Sequence, residues 1–332
     1  MSGYSGRPRA APRADFLAAH AQVLSIAVFF LLCFAVFSVV SDAFLSAGNL
    51  LNLLRQSAPM LIVAVAMTFV ITTGGIDLSV GSTVALVNAL AAISLQAGIP
   101  WPVVIFLLLL AGAAVGAAQG WFVAFEGIPA FIVTLAGLSI LRGVALLMTQ
   151  GFSIPIAPDS LFVQIGRGWL GGIPFPAVIA IMALLAGFAA LNLMQFGRHV
   201  VAIGANMEAA RRAGVPVKWR IIMCYVLSGV AAAMAGIVIA ARLGSGSSNA
   251  AVGFELDVIA AVVLGGTSLM GGKGTIIGTA LGALTIAVIG NGLILSHVSP
   301  FFTQIVTGLI ILIAIWLNTR VFARLATPQR KS

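Results

Sequence analysis

Apolar runs of about 20 residues follow one another along almost the whole chain, each closed by a glycine, a proline or a charge. A run of that length crosses hydrocarbon as a helix. The pattern predicts about ten helical spans, near 23–41, 56–74, 80–97, 102–123, 130–149, 176–194, 219–241, 254–268, 274–294 and 301–320. The expected architecture is an all-α integral membrane bundle over 23–320, flanked by a disordered tail at 1–22 and a short tail at 321–332. The sharpest interruption is Gly74-Gly75-Ile76-Asp77-Leu78-Ser79-Val80-Gly81, lying between two oily stretches. Irregular backbone at membrane depth survives only where protein or water satisfies its amides. An ionisable group there marks a functional site.

Charge orients the bundle. With the N-terminus inside, the inside segments are 1–22, 75–79, 124–129, 195–218, 269–273 and 321–332. They hold Arg7, Arg9, Arg13, Arg198, Arg211, Arg212, Lys218, Lys273, Arg324, Arg330 and Lys331, with Arg220 and Arg320 at their edges. The remainder holds Arg55, Arg142, Arg167 and Arg242. Cytoplasmic loops collect Lys and Arg, so both termini are expected in the cytoplasm.

Composition agrees: 61% of residues are hydrophobic, only 8% are charged, and the mean hydropathy is +1.16. A soluble domain carries about a quarter charged residues. The net charge of +9 is the one-sided loop charge just described and needs no nucleic acid. The first apolar run exceeds the roughly 7–15 residues of a secretory signal, so it reads as a retained span. Cys33 and Cys224 each sit inside an apolar run, as small core- or lipid-facing side chains.

Glycines recur at helix-packing spacing as Gly112-x-x-x-Gly116-x-x-x-Gly120 and Gly274-x-x-x-Gly278-x-x-x-Gly282, where backbones can approach closely within one subunit or between two. The first break also has an echo: Gly74-Gly75-x-x-Leu78-x-x-Gly81 recurs as Gly265-Gly266-x-x-Leu269-x-x-Gly272. Matched interruptions in duplicated halves point to a transport pathway. In a chain with 37 glycines, coincidence is the alternative reading of the echo.

Several polar residues stand out. Asp77, with Ser79, either caps the third span or gates a pathway. Asp257 starts the eighth span, facing a vestibule, a partner or a hydrogen-bonded rim. Arg142 lies deep in the fifth span and needs an interior partner, for which a carboxylate is one option. Thr68, Asn88, Gln119, Thr134, Asn291 and Gln304 either line a polar path or bond helix to helix. The longest inside loop, 195–218, contains Glu208-Ala209-Ala210-Arg211-Arg212-Ala213-Gly214-Val215-Pro216, a short basic helix stopped by glycine and proline. Such a helix either sets topology or serves as a handle for a cytosolic partner.

Glu208-Ala209-Ala210-x-x-x-Gly214 resembles the loop by which permeases of ABC importers dock on their ATPase. Three further stretches occur in order: residues 74–82, the Gly-x-x-Val-x-Ala-Ile-Gly-x-Asn stretch at 197–206, and Glu255-Leu256-Asp257 through Gly265-Gly266-Thr267-Ser268-Leu269. Together they resemble the monosaccharide, ribose permease-like branch of ABC importer permeases over about residues 20–320, with Val258 and Met270 as mild departures. The resemblance implies a bacterial inner-membrane subunit that works as a pair with a second copy or a paralogue. A cytosolic ABC ATPase would energise it, and a periplasmic sugar-binding protein would feed it. It further implies an ATPase-coupling loop at Glu208, Ala209, Ala210, Arg211, Arg212 and Gly214, and gating around Gly74, Gly75, Asp77, Ser79, Gly81, Asp257, Gly265 and Gly266. The chain has no Gly-x-x-x-x-Gly-Lys-Ser/Thr phosphate loop, so ATP-Mg belongs to the partner and no cofactor is expected on this chain. Sister permeases for branched-chain amino acids or nucleosides are the nearest rival; a proton-coupled transporter using Asp77 or Asp257 is a remoter one.

Overall fold

A computed structural model describes residues 12–299 together with 302, 305–309, 312 and 313. Most of the expected tenth span, with Gln304, lies outside the described residues, as do much of the first tail and all of the second. In order, the helices are α1 (Pro12–Val40), α2 (Ala47–Thr72), α3 (Val80–Gln96), α4 (Trp101–Ala124), α5 (Ala130–Thr149), α6 (Gln164–Arg167) and α7 (Phe175–Phe188). A π-helical turn over Ala189–Leu193 then leads to α8 (Gln195–Ala205), α9 (Met207–Arg212), α10 (Val217–Leu243), α11 (Phe254–Leu264) and α12 (Ile276–Leu295). Two-residue strands β1 (Ile154–Pro155), β2 (Trp169–Leu170), β3 (Ile173–Pro174) and β4 (Ser245–Gly246) pair as β1–β4 and β2–β3, both antiparallel. The β2–β3 turn is Gly171-Gly172, both with positive φ, as a two-residue hairpin turn demands.

Among the described residues, seven helices are long and apolar enough to cross a membrane. The bundle has two sides, the loop face carrying α8–α9 and the hairpin face carrying β2–β3. α2 and α10 form its centre, while α1, α4 and α5 leave much of their apolar surface outward. Outward Leu, Val and Phe are what lipid-facing helices require.

Glycine sets the closest packing. A Cβ on Gly112 would strike the Gly229 carbonyl, one on Gly116 the Tyr225 carbonyl, and one on Gly120 would lie 2.9 Å from the Ile222 Cα. The α4 glycine face therefore meets α10 of the same chain. The second glycine series also packs within the chain: Gly278 meets Gly265, Gly282 meets the Ala261 carbonyl, and Gly274 meets Thr72.

Two of the expected spans are short. α3 has 17 residues. α11 has 11 residues, about 16 Å at 1.5 Å per residue, and hydrocarbon is about 30 Å thick. The helix of the expected span at 254–268 therefore covers only about half of the hydrocarbon. The rest of that crossing is the unwound stretch 244–253, which descends from the end of α10 alongside α3: Gly246 lies against Asn88 and Ala92, and further down Ala251 and Glu255 lie against Gly81.

Candidate transport and coupling site

The first break begins as a helix cap. Gly74, with φ +87, donates to the Ile71 carbonyl, and Gly75 donates to the Val70 carbonyl. This is the Schellman arrangement, which needs a left-handed residue at the first position and so favours glycine. The chain then turns back into the bundle, where Thr134 (3.2 Å) and Tyr225 (3.4 Å) donate to the Ile76 carbonyl. Asp77 is buried. Its Oδ1 accepts from the Ser79 amide (2.9 Å) and hydroxyl (2.7 Å), and its Oδ2 accepts from the Ser228 hydroxyl (2.7 Å). Gln119 donates to the Ser79 hydroxyl at 2.8 Å. Asp77 thus ties the entry of α3 to α10 and, through Ser79, to α4. It does so from two residues ahead of the N-cap, Ser79, whose hydroxyl makes no cap bond.

The second break repeats the cap but in a different register. Gly266, with φ +92, donates to the Val263 carbonyl, and Thr267 donates to the Val262 carbonyl. Gly266 therefore plays the part of Gly74, whereas the sequence echo aligns Gly74 with Gly265. Beyond the cap, Ser268 donates through its amide to the Lys273 carbonyl, Ser268 Oγ accepts from the Met270 amide, and Met270 is 89% exposed.

The two breaks touch, and the long loop touches both. The Gly272 amide donates to the Thr72 carbonyl at 2.9 Å. Gly204, on α8, has no room for a Cβ, which would land on the Thr72 carbonyl and the Gly272 amide. A Cβ on Gly271 would be 3.0 Å from the Gly204 Cα and from the Gly74 amide nitrogen. The junction is backbone on backbone, so α8 packs directly on both breaks. α9 comes directly after α8. Asn206 caps it by accepting from the Ala209 amide at 2.9 Å. Ala210 is buried, whereas Glu208, Ala209, Arg211 and Arg212 are exposed. Glu208 pairs with Arg211 (2.9 Å) and Arg212 (3.1 Å), whose guanidinium hydrogen bonds hold its carboxyl below the ordinary glutamate value. Gly214, with φ +82, and the Val215 amide bonded to the Ala210 carbonyl end the helix.

Arg142 finds backbone rather than a hydrogen-bonded carboxylate. Nη1 donates to the carbonyls of Ser248 (2.6 Å) and Ala250 (2.8 Å), and Nη2 to that of Ala251 (3.4 Å). Asn88 accepts from the Ser247 amide at 2.6 Å, and Thr149 donates to Ser248 Oγ at 2.8 Å. The unwound stretch thus has its polar backbone met at depth, as hydrocarbon requires. The signal for this break is present as Gly244-Ser245-Gly246-Ser247-Ser248-Asn249, which reads in sequence as an ordinary outside loop.

Five of the six polar residues nominated for a path are otherwise occupied; the sixth, Gln304, lies outside the described residues. Thr68 bonds Thr279 (2.8 Å), Asn291 exchanges two 3.0 Å bonds with Asn49, and Asn88, Gln119 and Thr134 are committed as described. Asp257, in the first turn of α11, is exposed on the isolated chain.

On the hairpin face three arginines gather. Arg55 stacks over Trp169 at 4.7 Å, Arg167 donates to the Arg242 carbonyl (2.9 Å), and Arg242 is close enough to Arg55 for their charges to repel. Arg55 Nε and Nη2 and Arg242 Nε are buried without partners. Among the described residues the only ion pairs are those of Glu208, and no group of three His, Cys, Asp or Glu is placed to hold a metal.

Against this geometry the comparisons with known proteins are consistent. The family described as "Branched-chain amino acid transport system / permease component" matches residues 49–315. The probable ABC transporter permease protein YphD of Escherichia coli is 40% identical over 316 residues, 95% of each chain. The E. coli K12 ribose import permease protein RbsC is 41% identical over 87% of this chain and 91% of its own length. The Haemophilus influenzae xylose transport system permease protein XylH is 35% identical over 90% and 96%. No solved structure matches significantly.

Proposed function

The chain belongs to the family of membrane permease components that includes the branched-chain amino acid transport systems, and from that premise we propose that it carries a monosaccharide, a pentose, hexose or related polyol, across the bacterial inner membrane in an ATP-driven importer. Relatives named for ribose and xylose support a sugar over a branched-chain amino acid as cargo. The observation that carries the mechanism is the Gly204 junction, where the loop bearing α9 rests directly on both glycine breaks.

In this reading the loop face is cytoplasmic, as its Lys and Arg excess favours. α9 is the grip for a cytosolic ABC ATPase, which holds ATP-Mg; Glu208, Ala209, Arg211 and Arg212 meet the ATPase while Ala210 and Gly214 set the helix on its base. ATP binding moves the ATPase, α8 moves with it, and Gly204 passes the movement to Thr72 and Gly272. On the periplasmic side Arg55, Arg167 and Arg242 offer positive charge to an acidic rim of a sugar-binding protein. A second copy or a close paralogue completes the pathway. The hydroxyls of a sugar need donors and acceptors, yet a conduit must let go, so selectivity lies mainly with the binding protein.

The test is uptake of labelled pentoses, hexoses and polyols in a strain lacking this gene, with and without the partner ABC ATPase. Uptake restored by the chain and lost with the ATPase supports the reading. Uptake that persists without the ATPase, driven by a pH gradient, would overturn it. Glu208→Lys, which reverses the charge at that position of α9, should abolish co-purification of the ATPase while the protein remains inserted.

A further inference from the structure

Asp257 stands at a depth where a carboxylate has no business facing lipid. The last turn of α11 is in register with α12, Ala261 against Gly282 and Gly265 against Gly278. Asp257, one turn earlier, therefore lies level with about residue 286, about 15 Å along α12 from its start at the loop face. That is the middle of a hydrocarbon layer about 30 Å thick. The neighbouring Glu255 turns inward against Gly81, but Asp257 points away from the chain's own core. The unwound stretch leading to it also turns outward, with Asn249 exposed and Val252 73% exposed, and so does Leu256 in the first turn of α11, 64% exposed. Irregular backbone and ionisable side chains at this depth occur where they line water or protein, not lipid.

Among the described residues, the polar side chains expected to line a path offer a sugar little. Thr68, Asn88, Gln119, Thr134 and Asn291 spend their hydrogen bonds inside the chain. The large groove between α2, α7 and α10, about 620 Å³, is walled by apolar side chains such as Ile62, Phe69, Met182 and Met234. A polyol needs the opposite.

We infer that the unwound stretch 245–253 and the first turn of α11 form the polar wall of the transport pathway at mid-membrane, with Asn249 and Asp257 presented to the hydroxyls of the passing sugar. The wall is stiff, because Arg142 fixes three of its carbonyls and Asn88 one of its amides. Asp257 accepts hydroxyl hydrogens, and Asn249 can donate or accept. The inference rests on the sugar-import reading for its ligand, and on depth and exposure alone for the water-lined wall.

Single cysteines test it in the assembled importer, in a background with Cys33→Ala and Cys224→Ala. Asn249→Cys and Val252→Cys should react with a membrane-impermeant methanethiosulfonate reagent. Val28→Cys, on the outward face of α1, is the lipid-facing control and should not react. The sugar that the unsubstituted importer takes up, sought first among D-ribose and D-xylose, should slow labelling at 249 at least threefold. Asp257→Leu should lower uptake at least tenfold, and Asp257→Asn less. Labelling at 249 and 252 no faster than at 28, or uptake unchanged in Asp257→Leu, would overturn the wall. Failure of the sugar reading is distinguishable: the unsubstituted importer then takes up no sugar while 249 and 252 still label.

Discussion

Both glycine breaks close their helices with the same left-handed cap, at Gly74 and at Gly266, but the chain leaves the two caps in opposite directions. After Gly74 it dives inward, Asp77 is buried, and each oxygen of its carboxylate is taken by a serine hydroxyl. After Gly266 it stays at the surface, with Leu269 and Met270 exposed. The cap fixes only where a helix stops. The residues beyond it decide the next direction: an Asp with two serines in reach seals a re-entry, whereas Ser268 and an outward Met270 leave a surface loop. The first break is thus a rigid floor beneath α3, and the second is a surface turn that touches the floor through the Gly272–Thr72 bond.

The sharpest way to break this contrast is to strip the polar lock from one break and its nearest equivalent from the other. Asp77→Leu strands the Ser79 amide and the Ser228 hydroxyl in a buried setting. Each orphaned donor costs about 1–3 kcal/mol, so a loss of several kcal/mol is expected. Ser268→Ala removes one bond at an exposed amide and should cost within about 0.5 kcal/mol. Thermal unfolding in detergent reads both. Equal losses would mean that the first break is no more locked than the second.

A smaller effect is expected where the two breaks are joined. Gly204→Ala forces a methyl between the Thr72 carbonyl and the Gly272 amide, backbone atoms that cannot rotate away. Overpacking of this kind costs about 1–3 kcal/mol, and it should cut ATP-driven uptake more than it cuts stability because it wedges the junction open. Gly214→Ala is the matched comparison. Its Cβ meets open space and pays only for the left-handed backbone, about 1 kcal/mol. If both variants transport alike, Gly204 is a packing detail and not a transmission point.

The long spans are readable in the sequence because a run of about 20 apolar residues has few other fates. Helices α2, α4, α5, α7, α10 and α12 all fall on the expected runs. α11 is not readable at its true length: Gly244–Asn249 ahead of it reads as an ordinary outside loop although it continues the crossing, and the helix stops at the Gly266 cap, before the end of the expected run. The site is half legible. Asp77 declares itself because a lone acid in an oily run is costly. The Asp77–Ser228 and Arg142–Ser248 contacts join residues more than a hundred positions apart, and no local spacing encodes them. Arg142 invites a search for an acid, but a half-buried guanidinium is satisfied as well by carbonyls that have no helix of their own.

The least effect should come from the ion pairs of α9, and it still separates α9 from the breaks. Glu208 is held below its ordinary value by Arg211 and Arg212 in the folded helix. A depressed carboxylate pKa means that the ionised form is favoured by folding; that contribution is complete above the unfolded glutamate pKa and fades as pH falls through the folded one. All three side chains are exposed, so solvent and salt weaken the pairs. Amide exchange across 207–213 should therefore be flat from neutral pH down to the ordinary glutamate range and rise modestly below it, after correction for intrinsic rates. Salt should shrink the rise, and Glu208→Gln should remove it. The amides of Gly74, Gly75 and Ser79, bonded to the buried Ile71, Val70 and Asp77, should show no salt effect in the same experiment. A matching rise there would mean that protonating Glu208 is felt through the Gly204 junction, and α9 and the floor would then have to be treated as one unit.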